Sequence, residues 1–287
     1  LLSAAGIFFG TLKAFWSKHK PGAARFGAIT ALIFAGQMMN FPIKDGTSGH
    51  LLGGVLAVAL LGVPYGMLSI ALVVAIQCIV FSDGGFTVLG ANILNMAVIG
   101  AGLGGLVHLY FKSKFPERSG RYFLGLGLAA WFSVMMAALA CSVELALSGT
   151  IAFDKVSGAM LGTHALIGMG EGLITVAACF ALSAEPVSAN PRRSAAVPLA
   201  ASCIIAAMLS PFASGFPDGL EWVAEKYRFL HEAAPTFVSP LPDYTVPAVG
   251  NEMITTAAAG LIGVVVTFLI AWAAAKLLQR TGQPETV

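Results

Sequence analysis

The sequence predicts an all-α polytopic membrane protein, a bundle of about nine transmembrane helices, with the N-terminus outside and the C-terminus cytoplasmic. Three observations predict it. Hydrophobic residues make up 57% of the 287 residues and charged residues only 10%, far from a soluble composition. The apolar runs are mostly about 17–25 residues long, the length a helix needs to cross a bilayer. The chain's 33 glycines suit helices that pack closely in lipid, and no polar/apolar alternation of the β-barrel kind is present.

The runs follow in order. Residues 1–16 are apolar and lead into a basic connector with Lys18, His19, Lys20 and Arg25; residues 26–41 form the second run. Residues 51–61 and 67–81 flank a break at Gly62-Val63-Pro64-Tyr65-Gly66, and Ser82-Asp83-Gly84-Gly85 closes that pair with turn chemistry. Residues 88–111 precede a loop carrying Lys112, Lys114, Arg118 and Arg121, and residues 122–147 precede a short polar connector. Residues 160–182, a basic turn at Pro191-Arg192-Arg193 and residues 195–212 come next. A long acidic, proline-rich segment, 214–252, separates these from the last run, 254–278.

Basic residues gather after the first, fifth, seventh and ninth runs, which makes those connectors cytoplasmic. The stretch around His50, the Asp83 turn, the 149–155 connector and segment 214–252 are then expected outside. The chain starts without Met, so residues are expected upstream, and residues 1–16 are read as a span rather than a targeting segment. A composition break near Pro186 to Pro198 divides residues 1–185, a main membrane domain, from 186–287, a fused two-span module carrying the large outer segment. The net charge of +2 comes from the ends of spans, so it reports topology and points to no nucleic-acid partner. Cys78, Cys141, Cys179 and Cys203 stand singly in apolar runs and read as small buried hydrophobes.

The polar island Gly46-Thr47-Ser48-Gly49-His50-Leu51-Leu52-Gly53-Gly54 holds the best ligand candidate, His50. Pro42 ends the preceding helix, and Thr47 or Ser48 is expected to cap a new one starting near His50. In a first helical turn the dipole disfavours imidazolium and leaves a lone pair for a transition metal, yet it also repels the cation, so further nitrogen donors are needed. A metal ligand and a histidine that merely hydrogen-bonds at a membrane surface both remain open. Asn92 and Asn95 share a helix face behind Asp83, while His164 and Glu171 lie two turns apart on one face. For these, helix-to-helix hydrogen bonding competes with roles beside a ligand, and Glu171 in either role should tolerate Gln.

No HExxH, GxSxG or phosphate-loop pattern occurs, so any ATP-driven step belongs to another chain. Two other classes stay in view: an intramembrane metalloenzyme using His50, His164 and Glu171, and a non-catalytic membrane scaffold.

Gln37-Met38-Met39-Asn40-Phe41-Pro42, the island around His50, Asp83-Gly84-Gly85 followed by Asn92 and Asn95, and His164-Ala165-Leu166-Ile167-Gly168 with Glu171 together resemble the CbiM/NikM family. These are the substrate-capture components of nickel/cobalt energy-coupling-factor ABC transporters. Pro217-Asp218-Gly219-Leu220-Glu221 resembles the small two-span companion of those systems, fused here at the C-terminus, an arrangement associated more with nickel than with cobalt. The resemblance implies a prokaryotic-type inner-membrane protein whose substrate is Ni²⁺ or Co²⁺ and which has no cofactor. It implies a metal site of nitrogen donors, His50 and a mature N-terminal Met-His. It also implies a transmembrane coupling subunit and two ATP-binding subunits as partners.

Overall fold

A computed structural model describes residues 2–17, 20–44, 46–182, 193–230, 237–247 and 249–280. Among them the chain is helical almost throughout. Helices α1 (Leu2–Phe15) and α2 (Ala23–Gln37) lead to a two-stranded hairpin, β1 (Phe41–Pro42) with β2 (Ser48–Gly49), and then to α3 (Gly54–Leu61) and α4 (Val63–Phe81). One continuous helix, Phe86–Lys114, contains α5 (Leu89–Asn92), a π-helical stretch Ile93–Leu103 and α6 (Gly104–Lys114). Helices α7 (Gly120–Leu147) and α8 (Phe153–Leu182) form a long pair. Helix α9 (Arg193–Ile204) continues irregularly to Phe212; the short α10 (Gly219–Lys226) and the long α11 (Glu252–Arg280) complete the chain. The expected boundary at residues 185/186, and Pro191 and Arg192 of the basic turn, lie outside the described residues.

Among the described residues, six helices are long and apolar enough to cross a membrane: Val63–Phe81, Phe86–Lys114, Gly120–Leu147, Phe153–Leu182, Arg193–Phe212 and Glu252–Gln279. The expected number of about nine is not confirmed by this count. Helices α1 and α2 have 14 and 15 residues, about 21–23 Å at 1.5 Å per residue. The run at residues 51–61 departs most. Only its last eight residues are helical, those of α3, about 12 Å.

The physical reason is local. Gly53 adopts φ +72°, a conformation that a side chain disfavours, so the chain swings sharply into α3. Gly54 lies so close to the next helix that an added Cβ would stand 2.9 Å from the Ala101 amide nitrogen. Residues 50–53, before the turn, carry no regular structure.

Helix α2 is buried along 12 of its 15 residues because it is apolar on every side. It packs against α3 and α4, which follow it in the chain, and against α9 and α11 from the C-terminal third. Phe34 on α2 meets Phe81 and Tyr244, whose rings stack at 4.6 Å, so both modules share one aromatic core.

The connectors sort by charge into two ends. At one, Lys20 donates to the Leu278 carbonyl, Gln279 to that of Pro21, and Arg25 to those of Leu60 and Ser194. At the other, Ser214 donates to the Asn40 carbonyl, Leu241 to that of Val80, and the Ser82 and Ser239 hydroxyls lie 2.6 Å apart. The basic connectors around α2 and the acidic segment thus occupy opposite ends. Residues 48–61 run from one to the other, Ser48 bonding Pro217 and Leu60 bonding Arg25.

Candidate metal site

His50 sits on the non-helical part of this crossing. The hairpin pairs Phe41 with Gly49 and Pro42 with Ser48. Ser48 turns away from α3: its amide donates to the Pro217 carbonyl at 2.8 Å and its hydroxyl to that of Phe216 at 2.8 Å. Neither Thr47 nor Ser48 caps the helix, which begins at Gly54 without a side-chain cap. The expected first-turn placement of His50 is therefore wrong, and so is the dipole argument built on it.

Glu171 takes the place of the cap. Its Oε2 accepts the Leu52 amide at 2.7 Å and its Oε1 the Gly53 amide at 2.8 Å, from a fully buried position. Gln37 donates Nε2 to the Leu52 carbonyl at 2.8 Å. Backbone groups at membrane depth must be satisfied within the protein, and here side chains from α2 and α8 satisfy them. The expectation that Gln could replace Glu171 mildly does not survive this geometry. An amide has one acceptor oxygen, and its NH₂ would face an N–H.

The stretch opens onto a cavity of about 560 Å³ at the end of the bundle away from the basic connectors. His50, His164, Asn92, Asn95 and Asp83, all expected near a ligand, line it; Glu171 does not. Asn92 donates to the Gly84 carbonyl at 2.9 Å and Asn95 to Glu144 Oε2 at 2.8 Å, so each amide is fixed by a neighbour. With both Glu171 oxygens held by amides away from the cavity wall, the metalloenzyme alternative loses its base.

Each histidine has Nδ1 beside a carbonyl oxygen, Leu51 for His50 at 3.1 Å and Met160 for His164 at 2.8 Å. A ring nitrogen beside a carbonyl carries the proton, which leaves Nε2 with its lone pair. These bonds, and no helix dipole, leave each neutral ring with an unshared nitrogen lone pair on Nε2. The His164 ring lies against the turn into α10, its Nε2 3.3 Å from where a Cβ of Gly219 would stand. Among the described residues no group of three or more His, Cys, Asp and Glu is arranged to hold a metal. The first turn of α1 lies close by, Ser3 Oγ being 3.6 Å from a Cβ position at Gly90, two residues from Asn92.

The acidic wall of the cavity escaped the sequence reading. Asp218, Glu221, Asp243 and Tyr244 all come from the C-terminal module. Asp218 and Glu221 form a capping box on α10, and the spacing Asp-x-x-Glu carried that signal; nothing in it said that the cap would face His50. The burial of Glu221 and the nearby charge of Asp218 raise its pKa above the usual carboxylate range. Tyr244 donates to Asp83 Oδ2 at 2.6 Å and receives from Gln77 at 3.1 Å. Burial and the Asp83 charge push its phenol well above the ordinary value.

The fold and cavity define a multi-pass membrane protein with a polar, histidine-bearing chamber at one end. The chain belongs to the family described as the cobalt uptake substrate-specific transmembrane region, which matches residues 1–188, and a PDGLE domain matches residues 192–280. It is 36% identical over 258 residues to the putative fused nickel transport protein NikMN of Archaeoglobus fulgidus, covering 86% of this chain and 84% of that one. It is 28% identical to the fused nickel transport protein NikMN of Rhodobacter capsulatus, covering 86% and 83%. A crystal structure of a truncated transition metal transporter is similar with a TM-score of 0.55 at 28% identity, over 63% of this chain and 91% of that one.

Proposed function

We propose that this protein is the substrate-binding membrane component of a transporter that imports nickel or cobalt ions, nickel in preference. A separate transmembrane coupling subunit and two ATP-binding subunits would power it. The observation that carries the reading is His50 Nε2, freed by the Leu51 carbonyl and opening into the cavity at the end of the bundle opposite the basic connectors. Residues 1–185 form the capture domain and 186–287 the fused companion, with the cavity outside and the C-terminus cytoplasmic. The similarity to two fused nickel transport proteins along most of the chain supports both the activity and the metal.

His50 supplies one nitrogen, and a free Met-His end ahead of Leu1 supplies the rest from the α1 side of the cavity. Nitrogen donors in such number suit Ni(II), accommodate Co(II) and reject hard ions such as Mg²⁺. His164, Asn92, Asn95 and Asp83 shape the chamber around them, and Glu171 holds the backbone from which His50 projects.

Equilibrium Ni(II) titration of three forms tests this: the chain from Leu1, the chain preceded by Met-His with a free amine, and that form with one more residue ahead of the Met. Tight binding is expected only in the second, and acid should release the metal as imidazole and amine take up protons. Equal affinity in all three would contradict the assignment. A membrane-impermeant label should reach a cysteine at position 218 or 243 from outside and one at Lys114 only from inside.

A further inference from the structure

Asp218 divides its carboxylate between two tasks. Oδ1 accepts the amides of Leu220 at 2.8 Å and Glu221 at 2.9 Å, while Glu221 accepts the Asp218 amide at 3.1 Å, so the start of α10 fixes the plane of the group. Oδ2 is left out of that cap and stands 3.9 Å from His50 Nε2. With the ring proton on Nδ1 beside the Leu51 carbonyl, a lone pair and a carboxylate oxygen face each other. Two acceptors give each other no hydrogen bond, and 3.9 Å is too long for one in any case. A single metal ion at the usual lengths of about 2.0–2.2 Å can touch both. The two side chains are 30% and 31% exposed and both line the cavity, so an ion can reach the gap.

We infer that His50 Nε2 and Asp218 Oδ2 form a landing site for a divalent transition-metal ion, completed by water, from which the ion passes to the nitrogen-only set. The inference rests on the proposed function in taking His50 as a ligand of the final site, and it adds a carboxylate ligand from the fused module. Two protein donors and water hold an ion loosely, which suits a station on a route. The absence of any three-donor cluster among the described residues agrees with this. The carboxylate then drops out, because the final set consists of nitrogens.

Stopped-flow mixing of Ni(II) with the full chain bearing a free Met-His end, in lipid nanodiscs, separates the possibilities. Asp218→Asn keeps the capping oxygen and removes the metal-facing one. A landing site on the route lowers the barrier in both directions. Association and dissociation should therefore each slow by about tenfold, with the equilibrium constant unchanged. Glu225→Gln removes one charge from the same helix away from the cavity, and both rates should stay at their original values. Unchanged rates in Asp218→Asn would overturn the inference, as would faster dissociation alone, which would make Asp218 a permanent ligand. Equal slowing by Glu225→Gln would also overturn it, by reducing the effect to general charge. In each of these cases weakened binding by His50→Ala would leave the proposed function standing. No saturable binding by the parent chain would remove both.

Discussion

The two halves of the third crossing, residues 47–53 and α3, cover similar lengths of chain by opposite means. Helix α3 bonds part of its backbone within itself and buries Val55, Leu56, Ala57 and Val58 against neighbouring helices. Residues 47–53 have no such ladder and depend on Glu171, Gln37 and the Pro217 carbonyl. The helical half is held by packing against its neighbours and presents nothing polar, while the extended half projects His50 into the cavity because other elements hold its backbone.

That contrast predicts graded effects on metal affinity. Glu171→Leu, the largest, leaves two buried amides unpaired at about 1–3 kcal/mol each. It should abolish Ni(II) binding in calorimetric titration and lower the thermal midpoint in detergent. Glu171→Gln keeps one bond and turns the other into two donors facing each other. Affinity should fall about 10–100-fold, the range for groups that orient ligands, and a change under twofold would show that the extended half does not rely on the carboxylate. Gln37→Leu removes the bond to the Leu52 carbonyl, a loss of about 1 kcal/mol, and should weaken binding several-fold. Leu56→Ala should cost about 2–5 kcal/mol of stability through the cavity it leaves while the folded fraction binds Ni(II) as before. Lost affinity there would erase the distinction between the halves.

The same contrast explains what was legible in the sequence. The long apolar runs give α4 to α8 and α11 because a bilayer imposes their length and polarity. The gathering of basic connectors at one end of the bundle was legible for a similar reason. The 51–61 run was misread because hydropathy cannot tell a helix from an extended stretch whose amides are capped by a carboxylate 118 and 119 residues away. Glu171 was legible as an expensive group needing a partner, though not as a clamp on two backbone amides. His50, His164, Asn92, Asn95 and Asp83 were each picked out by polarity in apolar surroundings, and one cavity collects them. Asp218 was legible only as part of the 217–221 stretch; its face toward His50 depends on packing between distant segments that no local pattern encodes.

In the function proposed for this chain, the extended half of the crossing offers His50 Nε2 as a metal ligand. Anomalous scattering at the nickel edge, from crystals of the chain with a free Met-His end grown with Ni(II), tests it most directly. A single peak about 2 Å from His50 Nε2 is the predicted result, the usual metal–imidazole length. A peak elsewhere in the cavity, with His50 uncoordinated, would contradict it.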